Sequence, residues 1–284
     1  MLGKKKIAFI GAGSMAEAMI SGIVHSTKVP PKNIIVTNRS NNHRLKELQK
    51  KYGITGVNRD NLDLNNIDII VLAMKPKDAE ASLKSMFDTI QPNHLILSVL
   101  AGITTSFIEK NVPFEQQVIR VMPNTSSMIG ESATAISAGK HTSNQNISIT
   151  EELLQCIGEV YVIPEEKMDL FTGIAGSGPA YFYYLMEHME KEAKLGGLNS
   201  QIIRRIIAQT VVGAAKMIQE HGTSPKILRE NVTSPNGTTA AGLEALKGNG
   251  GGKAIAEAIK HAAYRSKEIS IQLEKPKLGT GVIG

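Results

Sequence analysis

One glycine-rich loop constrains this chain more than any other feature. Residues 7–10 form a short apolar run that reads as a strand. Gly11-Ala12-Gly13-Ser14-Met15-Ala16 follows with G-x-G-x-x-G/A spacing, and residues 15–24 then show helical periodicity. In that context Gly11 permits the tight turn, Gly13 lets backbone approach a pyrophosphate, and Ala16 keeps the helix close to the sheet. The helix start, with the N–H groups around Ser14 and Met15, offers unpaired donors and a positive dipole end to phosphate oxygens. The chain should therefore open with a dinucleotide-binding βα unit.

The following residues extend the pattern. Apolar or β-rich runs at 33–37, 68–74, 94–100, 117–122, 133–137 and 159–163 predict strands. Residues 41–52 read as a polar helix with a solvated face, and Pro76 as the first residue of a helix to about 87. Alternation of this kind predicts a Rossmann-type, doubly wound parallel sheet that binds ligands at its carboxyl edge. After Ile163-Pro164 no strand is expected. Helices are predicted at 179–195, 201–220, 238–246 and 253–273, with Gly248 and Gly250 to Gly252 as the turn between the last two. The expected organisation is a dinucleotide-binding domain over 1–164 and an all-helical domain over 165–284, with a poorly ordered tail from Lys275.

The end of the second predicted strand selects the cofactor. Thr37-Asn38-Arg39-Ser40 lacks the acidic residue that would hold a ribose 2′-hydroxyl. Arg39 suits a 2′-phosphate, and Asn38 and Ser40 can donate to it. NADPH is the expected cofactor, with NADH possible. Ala73, Lys75 and Pro76 should line the adenosine and pyrophosphate path, Lys75 reading equally as a phosphate contact or a helix-entry residue. Ala101, among small residues after another strand, should approach the nicotinamide.

Composition bounds the alternatives. With 284 residues, 42% of them hydrophobic, the chain can bury a large core, built on aliphatic residues because Trp is absent and aromatics are only 4%. The net charge of +6 comes from dispersed Lys and Arg without interleaved aromatics, so phosphate and carboxylate ligands explain it better than nucleic acid. No apolar run approaches the roughly 20 residues of a membrane span. A single cysteine, Cys156, lies in a helical apolar pattern and reads as core. The first residues lead straight into a strand without a signal-peptide core, so a cytoplasmic location is expected. The seven histidines show no metal-ligand spacing, and no metal is expected.

The most unusual stretch lies in the helical half. Thr233-Ser234-Pro235-Asn236-Gly237-Thr238-Thr239 builds a turn at a helix start. Thr238 or Thr239 would serve as an ordinary helix cap. The crowd of hydroxyls at a helix N-terminus points instead to a carboxylate site. Extended through Ala240-Ala241-Gly242-Leu243, this stretch resembles the signature of pyrroline-5-carboxylate reductases. Ala73-Met74-Lys75-Pro76, Val121-Met122-Pro123-Asn124-Thr125 and Gly176-Ser177-Gly178-Pro179-Ala180-Tyr181 resemble that family in the same order.

The resemblance implies a Rossmann-type domain, a helical dimerisation domain, NAD(P)H as hydride donor and L-proline as product of 1-pyrroline-5-carboxylate. It places Thr239 on the imine nitrogen as the catalytic position; a threonine hydroxyl is a poor free acid, so the expected role there is positioning. Ser234 joins the substrate site, and the N–H groups of Gly237, Thr238 and Thr239 take the carboxylate. Two positions depart from the family pattern: Asn236 replaces a glycine, and Ser126-Ser127 replace Pro-Ala. Asn tolerates positive φ, so the turn should survive. A 3-hydroxyacid dehydrogenase-type enzyme is the nearest rival, but residues 179–190 lack the lysine it needs. A non-catalytic NADP-binding sensor is the rival from another class. The apolar stripe through Tyr181, Tyr184, Leu185, His188 and Met189 is too extensive for one small domain and predicts a homodimer through the helical part, open to higher assembly.

Overall fold

In the computed structural model, which describes residues 2–274, the chain packs as two compact units. Among the described residues, one unit holds 2–177 and 261–274; the other is Gly178–Lys260. The strands end near residue 164, yet packing carries the first unit through Ser177 and adds the last part of the C-terminal helix. Limits drawn at residue 164 therefore follow secondary structure and not packing. The reason is a polar tie. Buried Arg120 lies 3.4 Å from Glu165 and 3.5 Å from Asp169, Glu165 accepts from the Thr105 N–H at 2.8 Å, and Ser266 donates to Asp169 at 2.7 Å.

The first unit is built on an eight-stranded sheet. Its strands are β1 (Ile7–Ile10), β2 (Ile34–Asn38), β3 (Thr55–Asn58), β4 (Ile69–Leu72), β5 (Leu95–Ser98), β6 (Gln117–Met122), β7 (Ser132–Ala138) and β8 (Gly158–Val162), in the order β3-β2-β1-β4-β5-β6-β7-β8. Every residue of β1, β4 and β5 is buried. Alternate side chains feed two separate cores: Ile7, Phe9, Ile69, Val71, Leu95 and Leu97 on one face, Ala8, Ile10, Ile70, Leu72 and Ile96 on the other. Burial on both faces explains why these strands read as continuous apolar runs. The helices α1 (Ser14–His25), α2 (Asn42–Tyr52), α3 (Ala79–Met86), α4 (Thr105–Glu109), α5 (Asn144–Leu154) and α6 (Met168–Phe171) complete the unit with several 3-10 turns. Cys156 is buried in the first of the two cores, as expected.

Three details differ from the sequence expectation. β3 was not foreseen: Thr-Gly-Val-Asn is short, partly exposed and at the sheet edge, so it carries little hydrophobic signal. The sheet is not wholly parallel, because β6 and β7 pair antiparallel. Only residues 123–131 join them, too few for the roughly dozen residues of a parallel crossover. Pro76 opens a 3-10 turn, Pro76–Asp78, and the α-helix begins only at Ala79.

The second unit contains α7 (Gly178–Leu195), α8 (Ser200–His221), α9 (Pro225–Asn231), α10 (Thr238–Gly248) and the start of α11 (Gly251–Glu274). The short α9, capped by Ser224, was not foreseen. The expected glycine turn is smaller than predicted, since Gly248 ends α10 and Gly251 and Gly252 begin α11. Just before α7, Thr172–Gly176 forms a π turn closed by Ser177 N–H to the Thr172 carbonyl at 2.8 Å. On α8, Ile203 and Ile207 are buried, but Ile202 and Ile206 are over half exposed. On α7, Phe182, Tyr183 and Tyr184 are likewise exposed. The expected tail from Lys275 lies outside the described residues.

Candidate functional site

The glycine loop sits between β1 and α1, against the loop after β4. Gly11 has φ +123°, and its N–H donates to the Thr37 carbonyl at 3.0 Å. A Cβ there would lie 2.5 Å from the Ala73 carbonyl oxygen, so no side chain fits. Gly13 is the N-cap residue of α1 and supplies no side-chain cap. A Cβ on Gly13 would meet nothing within 4 Å. Open space therefore adjoins the uncapped helix start at Ser14 and Met15, while Ala16 is fully buried beneath it. Unpaired N–H groups, a positive dipole end and room beside them fit a dinucleotide pyrophosphate.

A partly buried ionic cluster holds this loop. Glu17, in the first turn of α1, accepts from Arg44, from Lys51 at 2.8 Å and from the Tyr52 hydroxyl at 3.0 Å. Arg44 also donates from Nε to the Ala12 carbonyl at 3.2 Å and pairs with Glu47 at 2.8 Å. Burial alone would raise the Glu17 pKa. The hydrogen bonds from Lys51, Arg44 and Tyr52 outweigh it and bring the pKa to about 2. The α2 face read as solvated is thus partly turned inward, because the partner of Arg44 lies on α1, which helical spacing within α2 cannot reveal.

At the end of β2, the Asn38 side-chain oxygen accepts from the Ser40 and Asn41 N–H groups, both at 3.2 Å. Asn38 thereby shapes the loop that displays exposed Arg39 and Ser40. Its oxygen is committed to that turn, and its amide remains the donor end. Arg39 forms no ion pair among the described residues. Lys75 is exposed and caps the Pro76 turn through its carbonyl, which accepts from Asp78 N–H at 2.9 Å. Ala73 donates its N–H to the Ile10 carbonyl at 3.0 Å, next to Gly11. Ala101 follows β5, and the adjoining Gly102, at φ +72°, leaves only 2.5 Å between a Cβ and Ile269 of α11. These residues all belong to loops at the carboxyl ends of strands, where doubly wound sheets bind ligands.

The hydroxyl-rich turn belongs to the helical unit. Asn236 adopts φ +61°, the left-handed region, which accounts for the glycine expected there by resemblance and for the tolerance of Asn. The Gly237 N–H donates to the Ser234 carbonyl at 3.1 Å and closes the turn. That donor is committed, so the open N–H groups begin at Thr238 and not at Gly237. Gly237 is the N-cap of α10 and provides no side-chain cap. Neither threonine caps the helix, contrary to the simpler expectation. Ser234, Thr238 and Thr239 are exposed, and the Ser234 hydroxyl crowds Gly237, 2.4 Å from a Cβ placed there. Thr233 is structural, donating to the Arg229 carbonyl at 2.6 Å.

Asn124 braces the segment Val121-Met122-Pro123-Asn124-Thr125. It donates to the Ala175 carbonyl at 3.0 Å in the π turn and accepts from Ser126 N–H at 2.9 Å. Ser127, one of the two departures, is fully buried and donates to the Asn124 carbonyl at 2.7 Å. The loop thus keeps a defined 3-10 shape with serine in place of alanine. Sequence reasoning missed Glu17, Arg44 and Asn124 as loop-shaping residues; their only signal was polarity beside glycine-rich or proline-containing turns.

A doubly wound sheet with a glycine-loop cradle, followed by a helical unit, defines a dinucleotide-dependent oxidoreductase architecture. Comparison narrows the class. Residues 165–269 match the family model described as pyrroline-5-carboxylate reductase dimerisation, and residues 6–102 match the NADP oxidoreductase, coenzyme F420-dependent model. Pyrroline-5-carboxylate reductase 1 of Bacillus subtilis is 64% identical over 96% of this chain and 92% of its own. Among solved structures, the NADP-bound pyrroline carboxylate reductase of Plasmodium falciparum superposes with a TM-score of 0.87 at 26% identity, over 95% of this chain and 100% of that one. The Coxiella burnetii pyrroline-5-carboxylate reductase gives 0.85 at 31% identity, over 94% and 99%. The chain belongs to the pyrroline-5-carboxylate reductase family. That membership takes the place of the hydroxyacid dehydrogenase alternative.

Proposed function

We propose that the protein reduces 1-pyrroline-5-carboxylate to L-proline with NADPH, NADH being a weaker alternative, and that it works in the cytoplasm as a homodimer or a higher assembly. The observation that carries the substrate side is the uncapped start of α10, where two threonine hydroxyls adjoin unpaired N–H groups. The cofactor supplies a hydride from C4 of its nicotinamide. The net change adds that hydride to the imine carbon and a proton to the ring nitrogen, giving a secondary amine.

Each residue group has a separate task. Gly11, Gly13, Ser14 and Met15 form the pyrophosphate cradle, fixed by Arg44 and Glu17. Asn38, Arg39 and Ser40 select the 2′-phosphate, while Ala73, Lys75, Pro76 and Ala101 line the rest of the cofactor path. The N–H groups of Thr238 and Thr239, at a positive helix end, bind the substrate carboxylate, with Ser234 and Gly237 shaping the turn. The Thr239 hydroxyl holds the ring nitrogen. Its own acidity is too low for a strong proton donor, so its contribution is orientation of a protonated imine. The exposed apolar faces of α7 and α8 meet a second copy, as the dimerisation match of this segment supports.

Loss of reduced-nicotinamide absorbance, followed with and without 1-pyrroline-5-carboxylate, tests this reading. Substrate-dependent oxidation with proline as product is expected. NADPH binding without turnover would overturn it and favour a sensor.

A further inference from the structure

Arg44, Arg120, Arg204 and Arg265 each lie within 3.5 Å of a carboxylate. Among the described residues Arg59 does not, although it is half-buried. It follows β3 and is clamped instead by neutral oxygens of α3: the Ser82 carbonyl at 3.1 Å, the Ser82 hydroxyl at 2.8 Å and the Ser85 hydroxyl at 3.2 Å. All three bonds leave from one nitrogen, Nη2, so Nε and Nη1 are spare. A guanidinium fixed by one nitrogen presents its other donors in a set direction, as bidentate anion recognition requires.

Strand register sets what lies beside it. Asn38 of β2 pairs with Asn58 of β3, so Arg39 and Arg59 leave the carboxyl edge of the sheet side by side. Two neighbouring cations without a bonded carboxylate repel one another. Burial pushes the Arg59 pKa below the ordinary guanidinium value; Asp60 opposes this, and the Arg39 charge adds to it. Asp60 is exposed, so solvent screens its charge and it offsets the pair only in part. A cation pair offset only in part is stabilised by a bound anion.

We infer that Arg59 is a second guanidinium for the 2′-phosphate of NADPH, working beside Arg39 as a determinant of cofactor choice. This rests on the NADP-dependent reading of the same cradle. Arg39 is exposed and adaptable, while Arg59 is pre-oriented by the two serines. A phosphate dianion between them removes their mutual repulsion, whereas a ribose hydroxyl does not. Discrimination between NADPH and NADH therefore comes from two strands, β2 and β3, and not from the β2 loop alone.

The test is a pair of dissociation constants, for NADPH and for NADH, measured by calorimetry on the full chain without substrate. Arg59→Met should weaken NADPH roughly 10- to 100-fold, as for a lost charge-assisted hydrogen bond, and leave NADH unchanged. It should also flatten the salt dependence of NADPH binding. Arg59→Lys, which keeps the charge, should recover part of the loss. Equal weakening of both cofactors by either variant, or no weakening of NADPH, would overturn the inference. A wild-type protein that binds the two cofactors equally would also overturn it, while leaving the imine reductase reading intact. A wild-type protein that prefers NADPH but reduces no pyrroline would instead remove the reductase reading and leave this one standing.

Discussion

The two units solve the burial problem in different ways. In the sheet unit, β1, β4 and β5 are buried along their whole length, and alternate side chains fill two closed cores. In the helical unit, α8 buries Ile203 and Ile207 but leaves Ile202 and Ile206 exposed, and α7 exposes Phe182, Tyr183 and Tyr184. The first unit completes its core within one chain. The second presents an apolar surface suited to another copy, consistent with its match to a dimerisation family. Recognition follows the same division. The proposed cofactor cradle is held by partly buried ionic contacts, whereas the proposed substrate turn leaves Ser234, Thr238 and Thr239 exposed.

Perturbing each unit should have distinct consequences. The largest effect is expected from Gly11→Val. A β-branched residue at φ +123° and a Cβ 2.5 Å from the Ala73 carbonyl would distort the cradle. NADPH affinity should fall by on the order of 10²-fold or more, with about 1–3 kcal/mol of stability lost; calorimetry and thermal melts read both. Next comes Ile206→Glu, which places a charge on the exposed apolar face of α8. Dimer stability should drop by about 2 kcal/mol or more, read by sedimentation, with NADPH binding unchanged. An unaltered dimer would show that this face is not the interface.

A smaller effect is expected from Glu17→Gln, which leaves Arg44 and Lys51 without their shared carboxylate. About 1–3 kcal/mol of stability should be lost at neutral pH. The Glu17 pKa falls from 4.5 to about 2 on folding, so the unfolded chain binds the extra proton in that range. Its stabilisation is complete above about pH 4.5 and is lost as pH falls toward 2. The variant should show a shallower acid-unfolding curve between those values. An unchanged curve would remove Glu17 from the stabilising cluster.

The strand–loop–helix order around Gly11 was legible because local spacing and tertiary role coincide there. The central strands were legible because burial on both faces leaves a continuous apolar run. β3 was hidden by its polar, half-exposed sequence, and with it Arg59, whose neighbour Arg39 is set by register across 20 positions of chain. The antiparallel β6–β7 pair was implicit in the short connection 123–131, a length constraint that a strand-by-strand reading passes over. Arg44 read as a surface residue because its partners, Glu17 and the Ala12 carbonyl, belong to other elements. At the hydroxyl-rich turn, the residue types pointed to a helix start, but only the backbone showed that Gly237 spends its N–H on Ser234 and that the threonines do not cap α10.

The division of labour between the units meets its most direct test in Thr239→Ala, measured for NADPH dissociation constant and for kcat on the same preparation. The account predicts an unchanged dissociation constant and a fall in kcat on the order of 10²-fold, partly restored by Thr239→Ser. Full turnover in the alanine variant, or a matching loss of NADPH affinity, would contradict it.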